Sequence, residues 1–305
     1  MRRIIAVAGP TASGKTEYAI RIANLTDGEI VSCDSMQVYK FMNIGSAKPT
    51  PEEQARARHW LVDEIDPRDD FSVAQYRDLA KKYISDIFER GKTPVVCGGT
   101  GLYLNSLIYD MDFSDAERDD ELRQTLMDEA ELFGPEYVHR KLEQLDPVKA
   151  SKIHPNNLKK VIRALEGASK GNSIGDFSAL KERTKDYDVL LIGITRDRDE
   201  LYDRINRRVD IMVEEGLFKE VEDLLEMGLR EEDISMKGIG YKEIIAYFDG
   251  LYTMEEAIDK IKQNTRHLAK RQLTWFRRYE DMNWVNITEL GEEGAMDRIK
   301  QLITE

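Results

Sequence analysis

The chain has 305 residues, of which 41% are hydrophobic and 34% charged. That length allows two domains or one elaborated domain, and that balance excludes disordered, collagen-like and low-complexity classes. The formal net charge of −13 argues at first sight against a polyanionic partner. The charge is unevenly spread, however. Residues 112–136 hold ten acids against two arginines, whereas residues 262–278 hold six Lys or Arg and no acid. One face can therefore attract polyanions while another repels them; the alternative is a basic solvated helix beside an acidic one.

No apolar run approaches the roughly 18–20 residues of a membrane helix. The N-terminal MRRIIAVAGP is too short in its apolar part for a secretory segment. Cys33 and Cys97, the two cysteines, can build neither a disulfide framework nor a zinc site. The expected setting is cytoplasmic, away from any membrane and with reduced thiols. Both cysteines end strand-like runs and read as small buried residues.

Residues 4–8 predict a buried first strand, followed by GPTASGKT at 9–16 and a helix through Leu25. Residues 29–33 predict a second strand. DFSVAQY opens a helix over 70–90, with apolar residues at Val73, Tyr76, Leu79, Tyr83 and Ile87 and with Gly91 as its stop. Residues 93–97 form a third strand-like run, ending in GGTGLY at 98–103. This alternation predicts a parallel sheet covered on both faces. From about 112 to 186 the pattern changes to charged helical segments broken at Gly134-Pro135, Asp146-Pro147 and His154-Pro155. DVLLIGIT at 188–195 returns as a strand, and the remainder predicts helices over 197–215, 218–227, 241–248 and 254–279. The expected fold class is α/β, a P-loop NTPase-like parallel sheet flanked by helices. Residues 1–112 and 187–305 form its core, and 113–186 an inserted all-helical domain.

GPTASGKT satisfies the pattern G-x-x-x-x-G-K-[ST], with a strand before it and a helix after it. Gly9 and Gly14 permit backbone angles that aim N–H groups at one point, across Pro10, Thr11, Ala12 and Ser13. Lys15 adds a cation, the helix start adds its positive dipole end, and the Thr16 hydroxyl can sit on Mg²⁺. The loop binds a di- or triphosphate, and ATP stands among the candidates. A kinase or NTPase should carry an acid at the end of a later strand, but residues 93–97 run into Gly98-Gly99-Thr100. The nearest carboxylate is instead Asp34, after the second strand, readable as metal ligand, general base or cap of the SMQVY segment.

Several segments together resemble the tRNA dimethylallyltransferase (tRNA isopentenyltransferase) family. They are GPTASGKT, DSMQVY at 34–39, IGSAKP at 44–49, HWLVDEIDP at 59–67, FSVAQY at 71–76 and GGTGLY. HPNNLKKVIRALE at 154–166, RVDIMVEEGL at 208–217, KGIGYKE at 237–243 and AKRQLTWFRR at 269–278 extend the likeness over nearly the whole chain. The family usually has Thr where IGSAKP has Ser, and often a second His in HWLVD.

The resemblance implies transfer of a dimethylallyl group from dimethylallyl diphosphate to N6 of adenosine 37. That base lies on the 3′ side of the anticodon in tRNAs reading codons that begin with U. It implies Asp34 as acceptor of the N6 proton, Arg208 as a further cation on the diphosphate, and Thr100 near the reacting groups. It implies tRNA contacts at Asp34, Ser35, Met36, Gln37, Thr100, Arg123, Lys159, Lys160, Val161, Ile162 and Arg163. Further tRNA contacts are implied at Lys237, Gly238, Ile239, Gly240, Tyr241, Lys242, Lys270, Arg271, Gln272 and Arg277. Three of these sites have plainer readings. Arg123 sits among acids and can form salt bridges, Lys159, Lys160 and Arg163 can be a solvated basic face, and Thr100 can be ordinary turn chemistry. The chain is expected to act as a monomer with Mg²⁺, and none of its four histidines is assigned a catalytic role. Competing readings are a P-loop small-molecule kinase, an adenylate isopentenyltransferase acting on AMP, and an RNA-binding protein with a regulatory phosphate loop. The strand-free segment 113–186 weighs against an AMP-sized substrate.

Overall fold

The structure, a computed structural model, describes residues 2–111, 119–169 and 182–305. Its elements run β1 (Arg3–Ala8), α1 (Lys15–Leu25), β2 (Gly28–Ser32), α2 (Pro51–Arg56), β3 (His59–Trp60), α3 (Val73–Glu89), β4 (Thr93–Gly98) and α4 (Gly101–Ile108). Four helices follow: α5 (Asp120–Phe133), α6 (Pro135–Leu145), α7 (Pro147–Ala150) and α8 (Leu158–Ser169). The chain then returns to β5 (Asp188–Thr195), α9 (Arg198–Glu214), α10 (Leu217–Glu226), α11 (Tyr241–Phe248), α12 (Met254–Phe276), β6 (Asn283–Asn286) and α13 (Ile287–Thr304).

The chain divides into two compact units, Met1–Tyr109 with Glu182–Glu305, and Asp110–Lys181. In the first, one all-parallel sheet has the order β3-β2-β4-β1-β5-β6. Burial of β1 along Ile4, Ile5, Ala6, Val7 and Ala8 matches a central strand covered on both faces. Ile20 and Ile22 of α1 and Ile299 of α13 are buried in one cluster with Val7, Val95 and Ile194. The boundary expected near 112 lies outside the described residues. Residues 182–186 belong to the first unit, where Arg183 pairs with Asp281, the Thr184 amide donates to Ile108 O, and Lys81 pairs with Asp186.

Two strands escape the sequence pattern, which predicts only helix after residue 195. β3 has two residues and β6 four, NWVN, of which only Val285 is fully buried. Both lie at the sheet edges, where short polar strands carry no apolar run to detect. Among its described residues the second unit has helices and no strand. Its core joins Leu126 and Ala130 of α5, Val138 and Leu142 of α6, and Val161, Ile162 and Leu165 of α8.

Candidate active site

Gly9 leaves β1 with φ +149, and a Cβ there would lie 2.2 Å from Ile194 O. The chain therefore crosses the end of β5 with no room for a side chain. Gly14, at φ +98, turns the loop into α1, whose first N–H groups have no intrahelical acceptor and so can receive an anion. Between them several backbone groups are anchored. Lys15 Nζ donates to Pro10 O at 2.7 Å, and the Thr11 amide donates to Gln272 Oε1 at 2.8 Å. Arg204 Nε donates to Ala12 O at 3.0 Å and Arg196 Nε to Ser13 O at 3.1 Å. Ala12 holds a left-handed φ of 61, a strained choice for a residue with a Cβ. Arg196 and Arg204 carry no motif signal, since single arginines at the start of an ordinary helix look like surface residues.

Asp34 follows β2. Its Oδ1 accepts from the Met36 amide at 2.9 Å and the Gln37 amide at 3.4 Å, so the capping reading holds for one oxygen. Among the described residues, Oδ2 accepts no hydrogen bond. Burial pulls the Lys15 ammonium down to about 8; Asp34 opposes that shift and Arg208 adds to it. Burial likewise lowers the Arg208 guanidinium, against Glu53 and Asp34. The Lys15 ammonium is thus influenced by both the Asp34 carboxylate and the Arg208 guanidinium. Thr100 Oγ1 accepts from the Ser35 amide at 3.1 Å and donates to Ser35 Oγ at 3.4 Å, while its own amide donates to Cys33 O at 3.1 Å. It fixes the turn that carries Asp34. Cys33 directly follows β2 and Cys97 lies on the neighbouring β4, with Cys33 buried and Cys97 half-buried. Burial pushes both thiols up to about 12.

Among the described residues no group of three His, Cys, Asp or Glu can hold a metal. The histidines are structural where they have partners: His139 is buried with its Nε2 against Ala150 O and Ile153 O, and His59 Nδ1 meets Ala57 O.

Of the residues expected to face tRNA, three are buried and a fourth, the half-buried Gln272, is engaged within the protein. Val161 and Ile162 are 0% and 4% exposed in the core of the second unit, because α8 turns one side inward every three to four residues. Tyr241 is 0% exposed. Its hydroxyl donates to Glu220 Oε1, a carboxylate that also accepts from the amides of Asn43, Ile44 and Gly45. Gln272 spends its carboxamide on the two loops, accepting from Thr11 N and donating to Gly99 O at 3.0 Å. Lys159, Lys160, Lys237, Lys242, Lys270, Arg271 and Arg277 are exposed. Gly238 packs on Met36, whose Cε would lie 2.7 Å from an added Cβ.

Arg123 forms the salt bridge that its acidic setting suggests. Its Nη2 donates to Glu166 Oε2 at 2.6 Å, and Glu166 is 3% exposed. Arg123→Ala would leave the buried carboxylate with the Asp119 amide but without its paired cation, so it is expected to lower stability by about 2–3 kcal/mol in denaturant titration. Adding Glu166→Gln should recover most of that loss; an unchanged midpoint for the single variant would contradict this role.

A parallel sheet with a phosphate loop at the end of its central strand defines a P-loop NTPase-like fold. The family model described as IPP transferase matches residues 37–279. A tRNA dimethylallyltransferase from Alkaliphilus oremlandii (strain OhILAs) is 53% identical over 288 residues, 94% of this chain and 92% of its own. The crystal structure of the full-length tRNA isopentenylpyrophosphate transferase from Bacillus halodurans superposes with a TM-score of 0.76 at 43% identity, covering 100% of this chain and 96% of the other. A eukaryotic dimethylallyltransferase captured acting on tRNA gives a TM-score of 0.84 at 26% identity, over 100% and 80% of the two chains. The chain belongs to the IPP transferase family, the tRNA dimethylallyltransferases.

Proposed function

We infer that this enzyme transfers the dimethylallyl group of dimethylallyl diphosphate to N6 of adenosine 37 in tRNA, releasing diphosphate. One observation carries the reading at the level of the site. The phosphate loop shares its electrostatic site with Asp34, while β4 ends in Gly98 where an NTPase would place a metal-binding acid. The diphosphate is received by the first-turn amides of α1, Lys15 and Arg208, which stand ready where negative charge develops on the leaving group. Mg²⁺, held at Thr16 when bound, would draw further charge from the phosphate oxygens. The N6 lone pair of adenine is delocalised into the ring and is a poor nucleophile. As N6 bonds to the allylic C1, the C1–O bond breaks with its electrons leaving on diphosphate, and the open oxygen of Asp34 takes the N6 proton.

The adenosine must leave the anticodon stack, at a cost on the order of a few kcal/mol that contacts to the RNA backbone offset. Lys270 and Arg271, exposed on α12, and Arg277, exposed just past its end, supply such contacts in the first unit, and Lys159 and Lys160 in the second. Replacing Lys270, Arg271 and Arg277 together by Ala should make log K against log[salt] shallower by about 2–3 in filter binding with unmodified tRNA. An unchanged slope would place the RNA elsewhere. The activity itself is tested by incubating the enzyme with labelled dimethylallyl diphosphate and unmodified tRNA, then analysing nucleosides. Label in N6-dimethylallyladenosine is expected; label in free AMP, or ATP consumption without RNA labelling, would sink the reading.

A further inference from the structure

Helix α12 presents two faces. Ala269 and Phe276 are fully buried, and Leu273 packs with Ala12 of the phosphate loop. Trp275 lies on Gly101, its ring carbon 2.2 Å from where a Cβ would be. Lys270, Arg271, Thr274 and Arg277 are exposed on the opposite side. Gln272 falls on the inner face, at the point where α12 passes both the phosphate loop and the turn after β4. Its Oε1 accepts from Thr11 N at 2.8 Å and its Nε2 donates to Gly99 O at 3.0 Å. A carboxamide is the side chain group that offers both an acceptor and a donor at such spacing, and the reverse orientation would set like groups against each other. Gly99 has no room to spare, since a Cβ on it would lie 2.3 Å from Gln272 Nε2.

We propose that Gln272 is a positioning residue of the phosphate loop: its carboxamide ties the Thr11 amide to the Gly99 carbonyl and thereby sets the diphosphate cradle against the turn that carries Thr100. This rests on the reading of the loop as the diphosphate site. It separates Gln272 from its neighbours in the basic run, which face the RNA. Loss of the tie frees the loop between Gly9 and Gly14 on one side only, because Arg204 and Arg196 still hold Ala12 O and Ser13 O. The fold should therefore tolerate the change, while the cradle is less ordered before its ligand arrives.

The test compares wild type, Gln272→Met, Gln272→Ala, Gly99→Ala and Gly99→Ala/Gln272→Ala. Calorimetry reads dimethylallyl diphosphate affinity, filter binding reads tRNA affinity across a salt series, and thermal melting reports folding. Wild type must bind the diphosphate; if it does not, the loop reading itself fails, and this proposal with it. Given that binding, both Gln272 variants should lose about tenfold in diphosphate affinity, with tRNA affinity and salt slope unchanged within twofold. Gly99→Ala, which displaces the carboxamide, should match them, and the double variant should be no worse than either single one. Unchanged diphosphate affinity, or a tRNA loss as large as the diphosphate loss, overturns the proposal. Should the Gln272 variants fail to fold, Gly99→Ala decides by the same two readouts.

Discussion

Replacing Lys15 by Met is expected to lower kcat/KM for dimethylallyl diphosphate by about 10³-fold, while the empty protein melts at or above the wild-type temperature at pH 7. Activity falls because a fixed cation is lost where leaving-group charge collects. Stability does not fall with it, since burial holds the Lys15 ammonium down at about 8, below its ordinary value of 10.5. A lysine whose folded pKa is depressed opposes folding whenever it is charged. Below pH 8 that opposition is fully present; between 8 and 10.5 the unfolded chain binds more protons than the folded one, so stability rises with pH.

Diphosphate reverses the balance, because its charge draws the proton back onto Lys15. Wild type should take up about half a proton on binding at pH 8, read as buffer-dependent enthalpy in calorimetry, and affinity should weaken as pH climbs through that value. The Met variant should show neither effect. Equal proton uptake in both proteins would remove Lys15 from the diphosphate site.

Asp34→Asn is expected to lower kcat by about 10²–10⁴-fold with tRNA affinity retained. The substitution keeps an acceptor for the Met36 and Gln37 amides, so the turn is preserved and only the charge and basicity go. A second consequence separates the base from a merely structural residue. Asp34 supports the charged form of Lys15, so removing its charge should move the proton-uptake transition below pH 8. Single-turnover kinetics with saturating tRNA would measure the first effect and calorimetry the second. Prenylation at wild-type rate in the Asn variant would exclude Asp34 as the proton acceptor.

Much of this site is legible in the sequence because its parts sit at fixed offsets from glycines. The loop from Gly9 to Thr16, the turn at Asp34 and the Gly98-Gly99-Thr100 turn are all local, and backbone geometry alone demands their residue types. What is not legible is long-range. Arg196 and Arg204 hold the phosphate loop from nearly two hundred residues away, and nothing in their own neighbourhood marks them. Gln272 reads as part of a basic RNA-facing run because sequence adjacency hides the helix face. Val161, Ile162 and Tyr241 fail for the same reason, as a motif written as a continuous string ignores that helical residues alternate between core and solvent. The edge strands β3 and β6 are short and polar, so their pairing depends on neighbours that only the folded sheet supplies.

The central claim is that the phosphate loop holds an isoprenoid diphosphate beside Asp34. Diffraction from crystals grown with an unreactive thiodiphosphate analogue of the substrate tests it most directly. The diphosphate is expected on the first-turn amides of α1 between Lys15 and Arg208, with the allylic carbon turned toward the open oxygen of Asp34. An analogue bound elsewhere, or a loop that accepts ATP in its place and leaves the analogue out, would contradict it.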